Sequence, residues 1–103
     1  MRTWENLQAI LQEVLGDDGT AYYQPPENLK LKYPCIVFER SNSRTRHADN
    51  NPYQITKRYT VTLITKDADN DLYLDKLLML PMCRHDRHMI REGLVHEYFD
   101  IYY

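Results

Sequence analysis

The residues best suited to chemistry lie together near the C terminus, where Cys83, His85, Asp86 and His88 fall within six consecutive positions. Their side chains are of the types that bind zinc, and a zinc site needs at least three of them to converge. On a regular strand, the side chains at positions 83 and 85 share a face, whereas the side chain at 88 points to the other. Only two ligands would then meet, so we predict no metal site.

Nucleophilic catalysis would need an activated side chain with a base beside it. Cys35 is a nucleophile by type, but it lies in the most hydrophobic segment of the chain, where burial raises a thiol's pKa and makes it inert. No serine occupies a Gly-x-Ser-x-Gly elbow, and the three glycines, at positions 16, 19 and 93, are too scattered for a phosphate-binding loop. We therefore predict no catalytic residue, no cofactor and no enzymatic activity.

Two acidic clusters have a simpler interpretation than catalysis. Asp17-Asp18 follows the first predicted helix, and Asp67, Asp69 and Asp71 precede the second. Acidic residues in such turns cap helices and complement their dipoles. The second cluster lacks the glycine and the final glutamate of a calcium-binding loop, so we predict that both clusters are structural.

The composition indicates one domain spanning residues 1–103. Thirteen basic against fifteen acidic residues give a formal net charge of −2, which argues against non-specific DNA binding because that requires a basic excess. The two cysteines lie in separate apolar segments, and we expect both to be free thiols. No signal peptide or membrane-spanning apolar run is evident, so we expect synthesis in the cytoplasm.

The first half of the chain shows helix and strand periodicities. Apolar residues at helical spacing predict a helix over residues 3–15, with Thr3 as N-cap and Gly16 as its end. A short edge strand at 21–23 and an apolar strand at 35–40 follow. Residues 53–66 alternate strictly and predict a long strand, and we interpret the polar segment 41–52 before it as a loop.

The second half predicts a shorter helix and a hairpin. Leucines 72, 74, 77 and 78 predict a helix over 71–80 that turns these four side chains inward and ends at Pro81. Residues 82–91 and 94–103 flank Glu92-Gly93 and predict a C-terminal hairpin. Alternation in its last strand predicts one face with Val95, Phe99, Ile101 and Tyr103, and an opposite face with His96, Tyr98, Asp100 and Tyr102. Consecutive strands with two helices indicate an α+β fold, an antiparallel β-sheet with two helices packed on one face.

The remaining face of that sheet and the segment 41–52 are the predicted interaction surfaces. Nine tyrosines, against two phenylalanines and one tryptophan, suit an interface because tyrosine buries area yet tolerates a wet edge. We expect the segment 41–52 to be mobile in the free subunit and ordered on assembly. The predicted interface residues are Arg44, Arg46, His47, Asp49, Asn50, Tyr53, Tyr98 and Tyr102.

Five short motifs, in this order and spacing, together resemble a known family. They are Tyr33-Pro34-Cys35-Ile36, Ala48-Asp49-Asn50-x-Pro52-Tyr53, Lys57-Arg58-Tyr59-x-Val61-Thr62, Leu78-x-Leu80-Pro81-Met82-Cys83, and Leu94-Val95-His96-Glu97-Tyr98 followed by Ile101-Tyr102-Tyr103. The chain resembles the small tail terminator, or tail-completion, proteins of long-tailed phages of Gram-positive bacteria, often labelled minor capsid or head–tail joining proteins.

The resemblance implies an α+β subunit that assembles into a hexameric ring at the head–tail junction of the virion. The ring would cap the finished tail tube and dock it to the head connector, and DNA would pass through the ring without being bound specifically. It implies no catalysis, cofactor or membrane, and assembly in the bacterial cytoplasm. The alternatives are another head–tail connector component, a small nucleic-acid-binding regulatory module, and an enzyme.

Overall fold

The computed structural model describes the backbone of residues 3–48, 51–66, 70–81 and 83–103, and the side chains of these residues except 42–48, 51–56 and 70. Two helices and five strands form one sheet with helices against it, which confirms the predicted α+β class. In chain order the elements are α1 (Trp4–Leu15), β1 (Thr20–Tyr23), β2 (Cys35–Ala48), β3 (Asn51–Lys66), α2 (Asn70–Leu78), β4 (Cys83–Arg91) and β5 (Leu94–Tyr102).

The sheet is mixed rather than wholly antiparallel. Its strand order is β1-β2-β3-β5-β4, and only β1 runs parallel to its neighbour, with Ala21 opposite Ile36 and Tyr23 opposite Phe38. A parallel neighbour needs a connection long enough to return the chain to its starting end. Residues 24–34 provide it without a helix of their own, and this detour has no periodicity from which it could be predicted.

Both helices pack on one face of this sheet, as predicted. Leu7 and Leu11 of α1 and Tyr73 and Leu77 of α2 belong to one buried cluster with the inward-facing residues of the strands. On β5 buried and half-buried residues alternate without interruption, which confirms the predicted assignment of its two faces. The opposite face of the sheet, called here the outer face, carries Tyr98 and Tyr102.

Helix α1 has the predicted caps, whereas α2 buries a different set of residues. The Thr3 hydroxyl accepts a hydrogen bond from the Asn6 backbone N–H at 3.4 Å, and Gly16 ends the helix with a φ of 63°. In α2 the prediction that Leu72 and Leu78 point inward is wrong, because they are 57% and 46% exposed.

Tyr73 takes the inward position in α2. It is buried, and its hydroxyl donates to the Asp18 carboxylate at 3.3 Å. This bond ties α2 to the turn after α1. Of the second acidic cluster, Asp71 lies in the first turn of α2, as expected for a residue that complements the dipole, and Asp67 and Asp69 lie outside the described residues.

The predicted loop over residues 41–52 is instead the distal part of a long hairpin. Strand β2 continues past Arg40 to Ala48 and pairs with β3, with Ser43 opposite Lys57 and Thr45 opposite Ile55, after an irregularity between Arg40 and Ser43. Polar sequence does not prevent pairing, because the ladder bonds are made by the backbone and β3 offers an equally long partner. We call residues 41–48 and 51–57 the arm.

The outward edge of β1 is closed by side chains of α1. Gln12 accepts a hydrogen bond from the Ala21 N–H at 3.0 Å and donates to the Gly19 carbonyl at 2.7 Å. Gln8 donates to the Ala21 carbonyl at 2.9 Å. Both backbone groups of Ala21 therefore have partners, and β1 does not present them to another strand.

We predict that Gln12→Ala destabilises the protein by about 1–3 kcal/mol, because it leaves the Ala21 N–H and the Gly19 carbonyl without their side-chain partner. Chemical denaturation monitored by circular dichroism measures the loss. The matched control is Glu13→Ala, one position along the same helix and exposed, for which a change within about 0.5 kcal/mol is expected. Equal stability losses in the two variants would contradict the proposed closure of the edge.

Candidate assembly surface

The arm carries the predicted basic interface residues. Along β2, Arg44 pairs with Thr56, Arg46 with Gln54, and His47 with Pro52, after a second irregularity between Arg46 and His47. Tyr53 belongs to the facing strand β3. Asp49 and Asn50 lie outside the described residues, and so do the side chains of the arm up to Thr56. The structure therefore brings the four named positions into one hairpin by their backbone.

In the described strand pairings, the arm is built from β2 and β3 alone. Strand β1 pairs with β2 no further than Phe38, and β5 pairs with β3 no further than Arg58, with Tyr103 adding two backbone bonds to Lys57. Eight residues of extended strand beyond Arg40 span roughly 26 Å. Accordingly, the longest axis of the molecule is 51 Å, against 27 and 24 Å for the other two.

Tyr98 and Tyr102, the other predicted interface residues, lie four positions apart on the outer face. Both are half-buried. Arg87 lies over the Tyr98 ring, with its guanidinium carbon 4.8 Å from the ring centroid. The His96 ring stacks on the Tyr98 ring, with 6.4 Å between the two centroids. Neighbouring β3 contributes Thr62 opposite Tyr98.

An ion pair crosses the outer face beside these tyrosines. An Arg58 guanidinium nitrogen lies 3.3 Å from an Asp100 carboxylate oxygen, and the Asp100 side chain is only 16% exposed. Because the pair is partly shielded from water, it is worth more than a fully solvated one. The outer face thus combines tyrosine rings with arginine side chains, both of which are enriched at protein–protein contacts.

The C-terminal histidines converge, contrary to the sequence-based expectation. A bulge skips Asp86, so that His85 pairs with Phe99 and His88 pairs with Glu97. The extra residue brings positions 85 and 88 to the same face. His88 Nδ1 contacts one oxygen of the Glu97 carboxylate, and His85 Nε2 lies 3.3 Å from the other. Glu97 itself is 1% exposed on the core side of the sheet.

This cluster is a buried carboxylate with two histidine partners rather than a metal centre. Each imidazole bonds a different oxygen of Glu97, so both oxygens of the carboxylate are engaged by the histidines. Among the side chains that the structure describes, no group of three or more His, Cys, Asp or Glu is arranged to hold a metal ion.

The two cysteines are free, as predicted. Cys35 lies on β2 and Cys83 on β4, with β3 and β5 between them, so strand spacing alone separates them by roughly 14 Å. A disulfide requires Cα atoms less than about 7 Å apart. Burial raises the pKa of each thiol to about 11, to which Asp100 adds at Cys83.

Several residues of this surface were not found from sequence. Arg58, Arg87 and Asp100 acquire their roles through cross-strand register, and the convergence of the histidines on Glu97 depends on the bulge at Asp86. The one available signal was the placement of Glu97 among inward positions of β5, where an alternating strand should be apolar.

No family model matches the chain, and no curated protein matches it. Neither helix in the described part of the chain has the length and apolar character needed to cross a bilayer.

We predict that His88→Ala destabilises the protein by about 1–3 kcal/mol, because one oxygen of a buried carboxylate loses its partner. The loss should shrink when Glu97→Gln is already present, since no charge then remains to be compensated. Urea denaturation of the four proteins of this double-mutant cycle measures both effects.

Arg84→Ala, on the same strand and exposed, is the control and should change stability by less than about 0.5 kcal/mol. If His88→Ala costs the same free energy in both backgrounds, the histidine does not act through Glu97.

We also predict slow alkylation of the native thiols. Since only the thiolate reacts, a pKa near 11 leaves about 100-fold less reactive form near pH 8 than an ordinary thiol with a pKa near 9. The rate should rise with pH until the pKa is passed. Mass spectrometry after iodoacetamide treatment should show little native modification, but two modified thiols after unfolding without reductant. Rapid native labelling would contradict the raised pKa of the two thiols.

Proposed function

We propose that this chain is a structural assembly protein whose copies associate into a closed ring. The observation that carries the proposal is the arm, two strands that leave the body without a third strand in the described pairings. An isolated two-stranded ribbon is only marginally stable in water. Contact with another subunit would cover its backbone and stabilise it.

The sheet edges favour association through the arm over strand addition. The β1 edge is short and is bonded to α1 by glutamines. The β4 edge carries four charged residues among its nine positions and a bulge, both of which oppose pairing with a further strand. The ring expected from the sequence would therefore close through the arm, which replaces the predicted loop in that role.

The outer face supports a second set of contacts. The rings of Tyr98 and Tyr102, the cation of Arg87 and the partly shielded Arg58–Asp100 pair occupy a surface opposite both helices. Tyrosine and arginine are enriched in the centres of interfaces. Such a face suits docking of the ring to other components of a larger assembly.

Within this class, the particular role we propose is that of a phage tail terminator. This step rests on the sequence resemblance described above. A hexamer of this chain would cap the completed tail tube and join it to the head connector, with DNA passing through the ring without base-specific contacts. The protein would act in the virion at the head–tail junction and would catalyse no reaction.

We predict that shortening the arm abolishes ring formation and leaves the subunit folded. Replacing residues 44–56 by Asn-Gly keeps the Ser43–Lys57 pair and joins it by a two-residue hairpin turn. Light scattering coupled to size exclusion should give an oligomeric mass for the wild type and a monomeric mass for the variant. Complementation of a terminator-deficient phage should fail with the variant.

Circular dichroism and thermal unfolding serve as the control for folding, because the body retains its whole buried cluster. An oligomer that persists without the arm would exclude the arm as the ring contact. Tails of normal length with unjoined heads in a phage that lacks this protein would favour another connector component over a terminator.

A further inference from the structure

Charge is strongly segregated along this chain. Residues 3–29 contain five acidic residues and no Lys, Arg or His, a formal charge of −5. Residues 40–58, the arm and its base, contain five basic residues and one acidic residue, Asp49, a formal charge of +4. The whole chain is nearly neutral at −2, so this separation is hidden in the net charge.

The acidic residues lie on an exposed surface around α1. Glu5 and Glu13 are exposed on the helix, Asp17 and Asp18 are exposed in the turn that follows, and Glu27 is exposed after β1. The other side of α1 is occupied by the core through Leu7 and Leu11 and by the β1 edge through Gln8 and Gln12. We call the exposed surface around Glu5 and Glu13 the α1 face.

The arm of one subunit points away from its own α1 face. Trp4, at the start of α1, stacks on Tyr23 with 4.4 Å between ring centroids, so α1 begins near the base of the arm and runs away from it. Arg46 lies six residues of strand beyond Arg40, roughly 20 Å. Screening reduces interactions between exposed charges beyond about 8–10 Å, so these charges do not compensate each other within one copy.

We infer that the arm of one copy docks on the α1 face of the next copy, with Arg44 and Arg46 facing Glu5 and Glu13. The occupant of the α1 face is thus a second copy of this chain. This inference rests on the proposed ring and names the contact that closes it. Because arm and α1 face are different surfaces, the contact is head-to-tail, the kind that generates rings.

Charge complementarity supports this occupant over nucleic acid. A basic arm could contact phosphates, but the α1 face would then remain an uncompensated acidic surface. Docking on a second copy compensates both surfaces with a single contact, and opposite potentials also guide the two copies into register.

The test uses two reversed variants and their mixture. One carries Arg44→Glu and Arg46→Glu, and the other carries Glu5→Lys and Glu13→Lys. Each alone opposes like charges across the contact and should remain monomeric where the wild type is oligomeric. In an equimolar mixture each arm meets an α1 face of opposite charge, so native mass spectrometry should recover oligomers with alternating subunits.

A matched control reverses two exposed acids on the other helix, Asp71→Lys and Asp75→Lys, and should leave the oligomer intact. A second readout detects weak association: Arg46→Lys keeps the charge and provides an amine, and carbodiimide should link it to Glu5 or Glu13 between isotopically distinct copies.

The outcomes separate the inference from the proposed ring. Oligomers that form normally in both reversed variants overturn this contact and leave the ring standing. A wild type that stays monomeric and gives no link to the α1 face overturns both. Variants that fail alone and also fail in the mixture, while the wild-type arm binds duplex DNA, overturn the contact and assign the arm's charge to nucleic acid.

Discussion

The register of β3 between β2 and β5 determines which side chains lie under the helices and which form the outer face. β3 is bonded on both sides from Tyr59 to Ile64, and its Tyr59, Val61 and Leu63 belong to the buried cluster that includes residues of both helices. A shift by one residue would move this set to solvent. The arm is a continuation of the same strand, so its direction follows from the packing of the body.

Sequence alone predicted the elements whose burial has a clear period. Helix α1, the body of β3 and the two faces of β5 followed from apolar spacing, and the turn at Glu92-Gly93 followed from its residues. The distal half of β2 was missed because it buries no apolar face and pairs through its backbone. The parallel placement of β1 was missed because it depends on the course of residues 24–34, which show no pattern.

The candidate surface was predictable only in part. Tyr98 and Tyr102 were identified because alternation alone places them on the face opposite Phe99. The convergence of His85 and His88 on Glu97 was not predicted. The bulge adds one residue to β4, so the side chains after it lie on the opposite face from the one that simple alternation gives them. The glutamines of α1 look like ordinary surface residues in sequence, and only the position of Ala21 beside them gives them a role.

The irregular, charged β4 edge also affects what happens when many copies are concentrated in one place. Flat, apolar edges nucleate cross-β fibrils, whereas β4 presents three arginines and a kink at Asp86. With β1 closed at the opposite end of the sheet, stacking of bodies into open-ended fibrils is disfavoured in both directions. Both edges of the sheet therefore oppose edge-to-edge association of concentrated copies.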